Sequence, residues 1–352
     1  MYIQIRKAAM LCLLVLALIG CTPSQPGGTL FKHTIYSFGT LIEIEIYDPD
    51  KALAERAFEA LEKDFQYMNS TWHPWQASAL ARDNQLLASG EWFTDAPSVR
   101  PLILQARGLS LASDELFNPA IGNLIHLWGF QKGEREGGTP PDKAAIEAIV
   151  AAKPSMRDLE FNGVTMRSKN PQVRLDFGAF AKGYGVNRAI ELLKSLGIHN
   201  AIINAGGDLR AIGRNGDKAW RIAIRHPRKA HDALAYLDVS GDESVFTSGD
   251  YERYYVYQGK RYHHILDPRT GYPATGSTSV TVIHGDAAVA DAAATALFVA
   301  GPKDWYRIAR AMGIHYVLLV DDQGRVHMNP EMEKRVHFVE KPAQIILSEP
   351  LS

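Results

Sequence analysis

Both cysteines of this chain, Cys12 and Cys21, fall within its N-terminal apolar stretch and the residue that ends it. Whatever folds after Cys21 therefore has no disulfide, no thiolate metal site and no cysteine nucleophile. It must be held by a hydrophobic core of its own. The chain has 352 residues, 46% of them hydrophobic, which suffices for one large domain or two closely packed ones. Charge is balanced, with 38 basic against 39 acidic residues and a formal net charge of −1. That balance, without a long basic run, predicts no binding to nucleic acid.

The N-terminus, "MYIQIRKAAMLCLLVLALIGC", opens with Arg6 and Lys7 and continues as an apolar run from Ala8 to Ile19. The run is short for a membrane span and has the layout of a secretory signal. "LIGC" resembles a bacterial lipobox, with Leu18 three residues before Cys21. That resemblance implies a signal peptide over 1–20, lipidation of Cys21 and display on the periplasmic side of a membrane. The outer membrane is favoured because Thr22, not Asp, follows the cysteine. An ordinary signal peptide with a chance cysteine is the alternative. Residues 21–30, including "TPSQPGGTL", are expected to form a tether, followed by a folded domain over 31–345.

Strict alternation at 41–47 puts Ile42, Ile44 and Ile46 on one face and Glu43 and Glu45 on the other, which predicts a half-exposed strand. Helical spacing follows at 50–68 and 97–113, with a polar, Gly-rich loop at 131–142. "YERYYVYQGKRYHHILD" predicts a hairpin turning at Gln258 and Gly259. Further on, 279–284 is expected as a strand, 288–299 and 303–312 as helices, and 315–320 as the final strand. Strands and helices mixed without regular βαβ alternation indicate an α+β fold.

Four stretches carry chemistry. In "VRLDFGAFAKGYGVNRAIELLKSLG" (173–197), Asp176, a loop of small residues and Lys182 lie within a few positions. Asp176 could simply cap the helix that follows, or the loop could cradle an anionic, phosphorylated ligand. In "AVADAAATALFVAG", Asp291 and Thr295 are i and i+4 on an otherwise apolar helix. A carboxylate there needs a partner, and none is basic within a turn. A hard divalent cation such as Mg2+ would supply one; capping by Asp291 is the other reading. In "YHHILDPRTGYPA", His264 precedes a tight Asp-Pro…Thr-Gly turn and is a candidate general base. "NAGGDLRAIG" offers a glycine pair suited to close backbone approach or a hairpin turn.

These stretches, with "TSGDYERYY", occur in an order and spacing that resemble the ApbE family of FAD:protein FMN transferases. "SFGT" (37–40), "NSTW" (69–72) and "FNPAIGNLIHLWGF" (117–130) are similar to that family's N-terminal motifs. The resemblance implies an ApbE-like (T-fold-like) α+β architecture of mixed sheets with packed helices and an active-site cleft. It implies Mg2+-dependent cleavage of the FAD pyrophosphate, with FMN placed on a Thr or Ser of a target protein and AMP released. By the same resemblance the metal is held by Asp291, Thr295 and the carbonyl of Ala179. FAD contacts fall on Phe38, Trp72, Phe117, Asn118, Pro119, Asp176, Lys182 and Ile265, with His264 as the base. The implied acceptor carries a flavinylation motif and is a membrane redox subunit of Na+-pumping quinone reductase or Rnf type. No such motif occurs in this chain, so self-modification is not expected. Asn187 departs from the acid common after "KGY", Asn118 and Ala120 from polar residues common in their loop, and Ala294 from a second acid present in some members. The resemblance therefore does not extend to a second metal ion on this helix. An FAD pyrophosphatase, or a flavin-binding lipoprotein without catalysis, are the competing expectations.

Overall fold

The computed structural model describes residues 27–130 and 138–351. The expected signal peptide, Cys21, residues 21–26 of the expected tether and residues 131–137 of the expected loop lie outside the described residues.

Nine strands form the principal sheet: β1 Thr29–Ser37, β2 Thr40–Asp48, β3 Ala201–Ala205, β4 Asp208–Gly213, β5 Gly241–Gly249, β6 Ser277–His284, β7 Tyr316–Asp321, β8 Val326–Met328 and β9 Ile345–Leu347. They lie side by side in chain order. Every neighbouring pair is antiparallel except β8 and β9, which are parallel. The helices are α1 Lys51–Thr71, α2 Ala79–Leu87, α3 Arg100–Ala112, α4 Gly122–Trp128, α5 Lys143–Ala151, α6 Ala181–Ser195, α7 Ala287–Ala311 and α8 Pro330–Glu333. This is an α+β arrangement.

The sheet is covered on both faces. On one, Ile42, Ile44, Ile46, Ile203, Val280, Val282 and Leu319 pack with Phe65 of α1, Val186 and Ile190 of α6 and Leu297 of α7. On the other, Leu209, Val245, Ile283, Leu318 and Val320 meet Trp220, Ile222 and Leu237 of a second, three-stranded sheet. A strand buried on both faces has no use for polar alternation, which is why β7 reads "YVLLVD". β2 keeps its alternation: its three isoleucines are buried while Glu43 faces solvent.

Several turns match their sequence signals. Tyr257 pairs with Lys260, and Gln258 (φ 50°) and Gly259 (φ 74°) make the expected hairpin turn. The glycine pair at 206–207 joins β3 to β4 (φ 69° and 102°), and a Cβ on Gly206 would stand 2.4 Å from Thr40 Oγ1. The pair therefore serves both purposes. The helices expected at 288–299 and 303–312 are the two arms of α7, separated at Gly301, whose backbone is non-helical (φ 71°, ψ 179°), just before Pro302. The strand expected last, at 315–320, is followed by β8, β9 and the short strand His337–Phe338. These strands run three residues or fewer, too short for a periodic signal to emerge. At the other end, β1 begins at Thr29, inside the stretch expected as tether.

Candidate active site

Asp176 does not cap a helix. α6 begins five residues later, with Phe180 at the capping position and no side-chain cap. Instead Asp176 Oδ1 accepts the Gly178 N–H (2.8 Å) and Oδ2 accepts the Trp75 indole N–H (3.2 Å), closing a local turn. The indole is itself clamped, with the Arg174 guanidinium 4.1 Å above its ring centroid and His126 stacked on it at 4.7 Å. Burial raises the Asp176 pKa, while the Gly178 and Trp75 bonds and the charges of Arg253 and His73 pull it back.

At the second position of α6, Lys182 forms an ion pair with Asp208, which begins β4 directly after the glycine turn. Asp208 Oδ1 also accepts the Thr247 N–H (2.8 Å), tying the pair to β5. Burial opposes the charge of Lys182, but Asp208 and Asp291 outweigh it and hold the ammonium above its usual pKa. Next along the helix, Gly183 donates its N–H to Asp291 Oδ2 (2.9 Å). Capping of α7 falls to Asp286, whose Oδ1 accepts the Val289 N–H (3.0 Å), so Asp291 is not a cap. Asp291 is 6% exposed, and burial, with Asp208 adding to it, pushes its pKa up to about 7 against the pull of Lys182. Thr295, one turn on, places Oγ1 3.2 Å from Ser248 Oγ.

This donor set fits a hard divalent cation. Asp291 is a buried carboxylate whose nearest cation is already paired with Asp208, so it is short of positive charge. A hydroxyl stands on the same helix face, as hard-cation chemistry requires. Among the described residues no group of three or more His, Cys, Asp or Glu could hold a metal ion, so any ion here needs hydroxyl, carbonyl or ligand oxygens as well.

Aromatic residues form a second part of the site. The Phe38 and Trp72 rings are parallel (3°) with centroids 6.1 Å apart, and Tyr184 meets Trp72 edge-on at 5.4 Å. Trp72 is fixed by its indole N–H donating to the Ser98 carbonyl (3.1 Å). Ile265 is buried nearby in sequence to His264, its carbonyl accepting the Ala274 N–H. Phe117 is turned into the core against Phe180, and the Asn118 side chain bridges the Pro154 carbonyl and the Ala120 N–H. The Pro119 carbonyl accepts the Asp176 N–H at 2.9 Å, so this loop borders the site through its backbone.

His264 Nδ1 lies 3.2 Å from the Arg253 carbonyl oxygen. Only a protonated Nδ1 can make that bond, which leaves Nε2 as the ring's lone-pair nitrogen. Burial, then the charges of Arg253 and His263, hold the His264 pKa well below its usual value. Four contributors were not singled out from the sequence: Asp208, Arg253, Trp75 and Ser248. Asp208 carries a weak signal, an acid closing a glycine turn. The others become functional only through partners distant in the chain. A separate cavity of about 850 Å³ opens between α1 and α6, bordered by Lys63, Tyr67, Tyr184 and Arg188. Tyr184 links it to the aromatic group, but Asp176, Asp208 and Asp291 do not line it.

The sequence pattern of the ApbE family matches residues 38–318. An FAD:protein FMN transferase of Rhodobacter capsulatus is 40% identical over 88% of this chain, which spans only 59% of that protein's length. A Klebsiella pneumoniae protein of the same name is 34% identical over 77% of this chain and 83% of its own. Among solved structures, the ApbE protein of Thermotoga maritima superposes with a TM-score of 0.79 at 33% identity, covering 89% of this chain and all of that one. The flavin transferase ApbE of Vibrio cholerae gives 0.77 at 28% identity, covering 88% and 99%. The ordered motifs, the nine-stranded sheet with α6 and α7 against it, and these likenesses together establish that the chain belongs to the ApbE family.

Proposed function

We propose that this protein is an Mg2+-dependent FAD:protein FMN transferase that acts from a lipid anchor at Cys21 on the periplasmic side of a bacterial membrane. The observation that supports the reading is that α6 contacts two groups: a parallel aromatic pair suited to a flavin, met by Tyr184 and Gly185, and the Lys182–Asp208–Asp291–Thr295 group suited to a pyrophosphate and its cation. Asp291, Thr295 and the Ala179 carbonyl would hold Mg2+, which supplies neutralisation of the pyrophosphate charge. Phosphoryl transfer demands positioning and charge neutralisation more than covalent help. Lys182 contributes a fixed cation, oriented by Asp208. The acceptor Thr or Ser hydroxyl oxygen attacks the FMN-side phosphorus, and the bond from that phosphorus to the bridging oxygen breaks. AMP leaves with the bridging oxygen. The hydroxyl proton passes to Nε2 of His264, which its surroundings keep neutral and able to accept it.

The acceptor in this reading is a membrane redox subunit bearing a flavinylation motif. Water could take the hydroxyl's place, which would make the protein an FAD pyrophosphatase. The two are separated by incubating the protein with FAD and Mg2+, with and without a Thr-bearing acceptor. We expect slow AMP release alone and fast release with acceptor, matched nearly one for one by FMN covalently added to the acceptor's mass. Fast AMP release without acceptor, and no covalent flavin when acceptor is present, would replace the transferase reading by hydrolysis.

A further inference from the structure

α6 and α7 touch through two rungs one turn apart. At the first, Gly183 N–H bonds Asp291, and the fit is tight. A Cβ on Gly183 would stand 2.3 Å from the Ala287 carbonyl oxygen and 2.8 Å from Asp291 Cβ. At the second, one turn further along α6, the Asn187 side chain meets the start of α7. Its Nδ2 donates to Asp286 Oδ1 (2.6 Å), and its Oδ1 accepts from the Ala287 N–H (2.8 Å) and from Arg210 Nη1 (2.8 Å). Asp286 is the residue that caps α7. Opposite Asp286, an amide rather than the acid common here in the family is the group that fits, because it must give a proton to Asp286 and accept from two other neighbours. A carboxylate would set acceptor against acceptor. Arg210 could not fully relieve that clash, since its guanidinium is already committed to Asp242 through two bonds and to Glu191 through a third.

We propose that Asn187 is a positioning residue: with Asp286 it fixes the first turn of α7, and so fixes where Asp291 and Thr295 stand relative to Gly183 and Lys182. Ala287 joins the rungs, because it donates to Asn187 and lies one turn before Asp291. This inference rests on the reading of Asp291 and Thr295 as metal ligands.

The test is a charge-swap cycle on the full-length protein, read by Mn2+ binding from loss of the free-ion paramagnetic signal. Thermal midpoints and FAD affinity without metal are recorded alongside. Asn187→Asp should weaken Mn2+ binding roughly tenfold, the scale of removing a support behind a metal ligand. FAD affinity should stay within about twofold, since no flavin contact changes. The double variant Asn187→Asp with Asp286→Asn restores one amide facing one carboxylate and should recover most of the Mn2+ affinity. Two outcomes overturn the inference alone, provided Asp291→Asn loses the ion: wild-type Mn2+ affinity in Asn187→Asp, whatever its thermal midpoint, or a double variant no tighter than the single one. If Asp291→Asn binds Mn2+ like wild type, the metal site itself is refuted, and the inference with it.

Discussion

Asp291 bears a cost in the metal-free protein that can be measured. Its folded pKa, about 7, lies above the usual carboxylate value because burial outweighs the help of Lys182 and Gly183. The folded state thus holds a proton that the unfolded state releases between about pH 4 and pH 7. For an acid shifted upward, stability falls as pH rises through that window, and the penalty is complete above pH 7. Asp291→Asn removes the charge, so in EDTA at pH 8 the variant should be more stable than wild type by on the order of 4 kcal/mol. Near pH 3.5, below both pKa values, the two should nearly coincide. Mg2+ should stabilise wild type and leave the variant unmoved. Urea denaturation at the two pH values checks this; a variant no more stable than wild type at pH 8 would contradict it. Asp291 and Thr295 were legible in the sequence because one helical turn separates them. Asp208 was not: its partner Lys182 lies 26 positions away and across a helix–strand junction.

At the scale of elements, the β1–β2 turn stands out because it is built against local preference. Ser37 pairs with Thr40, and the two residues between them, Phe38 (φ 52°) and Gly39 (φ 73°), both have left-handed backbone. Glycine accepts this freely, whereas a bulky side chain costs roughly 1 kcal/mol. The ring's surroundings explain the choice. Phe38 lies parallel to Trp72 and edge-on to Phe65, its N–H bonds Asn69 Oδ1 (3.1 Å), and Gly185 leaves room that a Cβ would close at 2.9 Å. Strain held in place by neighbours is typical of ligand-contact positions. Phe38→Gly should relieve the turn and lose ring contacts, leaving stability within about 1 kcal/mol of wild type. FAD affinity, measured by flavin fluorescence, should fall roughly tenfold or more with the loss of a stacking partner. Unchanged affinity would remove Phe38 from the flavin site. No turn signature marks this pair, unlike Gln258–Gly259, whose flanking alternation announced the hairpin. The contact of α6 with α7 was equally hidden, since Gly183 and Asn187 acquire meaning only opposite Ala287 and Asp286.

Over the whole molecule, the central sheet lays its strands down in chain order, and α7 runs from the end of β6 through the layer that also holds α1 and α6. The α+β class was legible because mixed periodicities are a global property of the chain. The second sheet and the C-terminal strands were not, because tertiary pairing rather than local pattern creates them. Among the described residues no helix is long and apolar enough to cross a membrane. The proposed membrane attachment is Cys21, which lies outside the described residues. Several acyl chains on one residue hold durably where a single chain is marginal. An enzyme so tethered meets a membrane-embedded acceptor at raised effective concentration, an advantage that vanishes for a soluble acceptor. Cys21→Ala separates the two contributions. The variant should leave the membrane fraction and modify a membrane-embedded acceptor far more slowly in cells. With a soluble Thr-bearing peptide as acceptor, the purified protein should release AMP at the wild-type rate. If processed Cys21→Ala protein still sediments with membranes, the anchor lies elsewhere in the chain. If its rate on the soluble peptide falls as well, Cys21 matters to the folded enzyme and not only to its location.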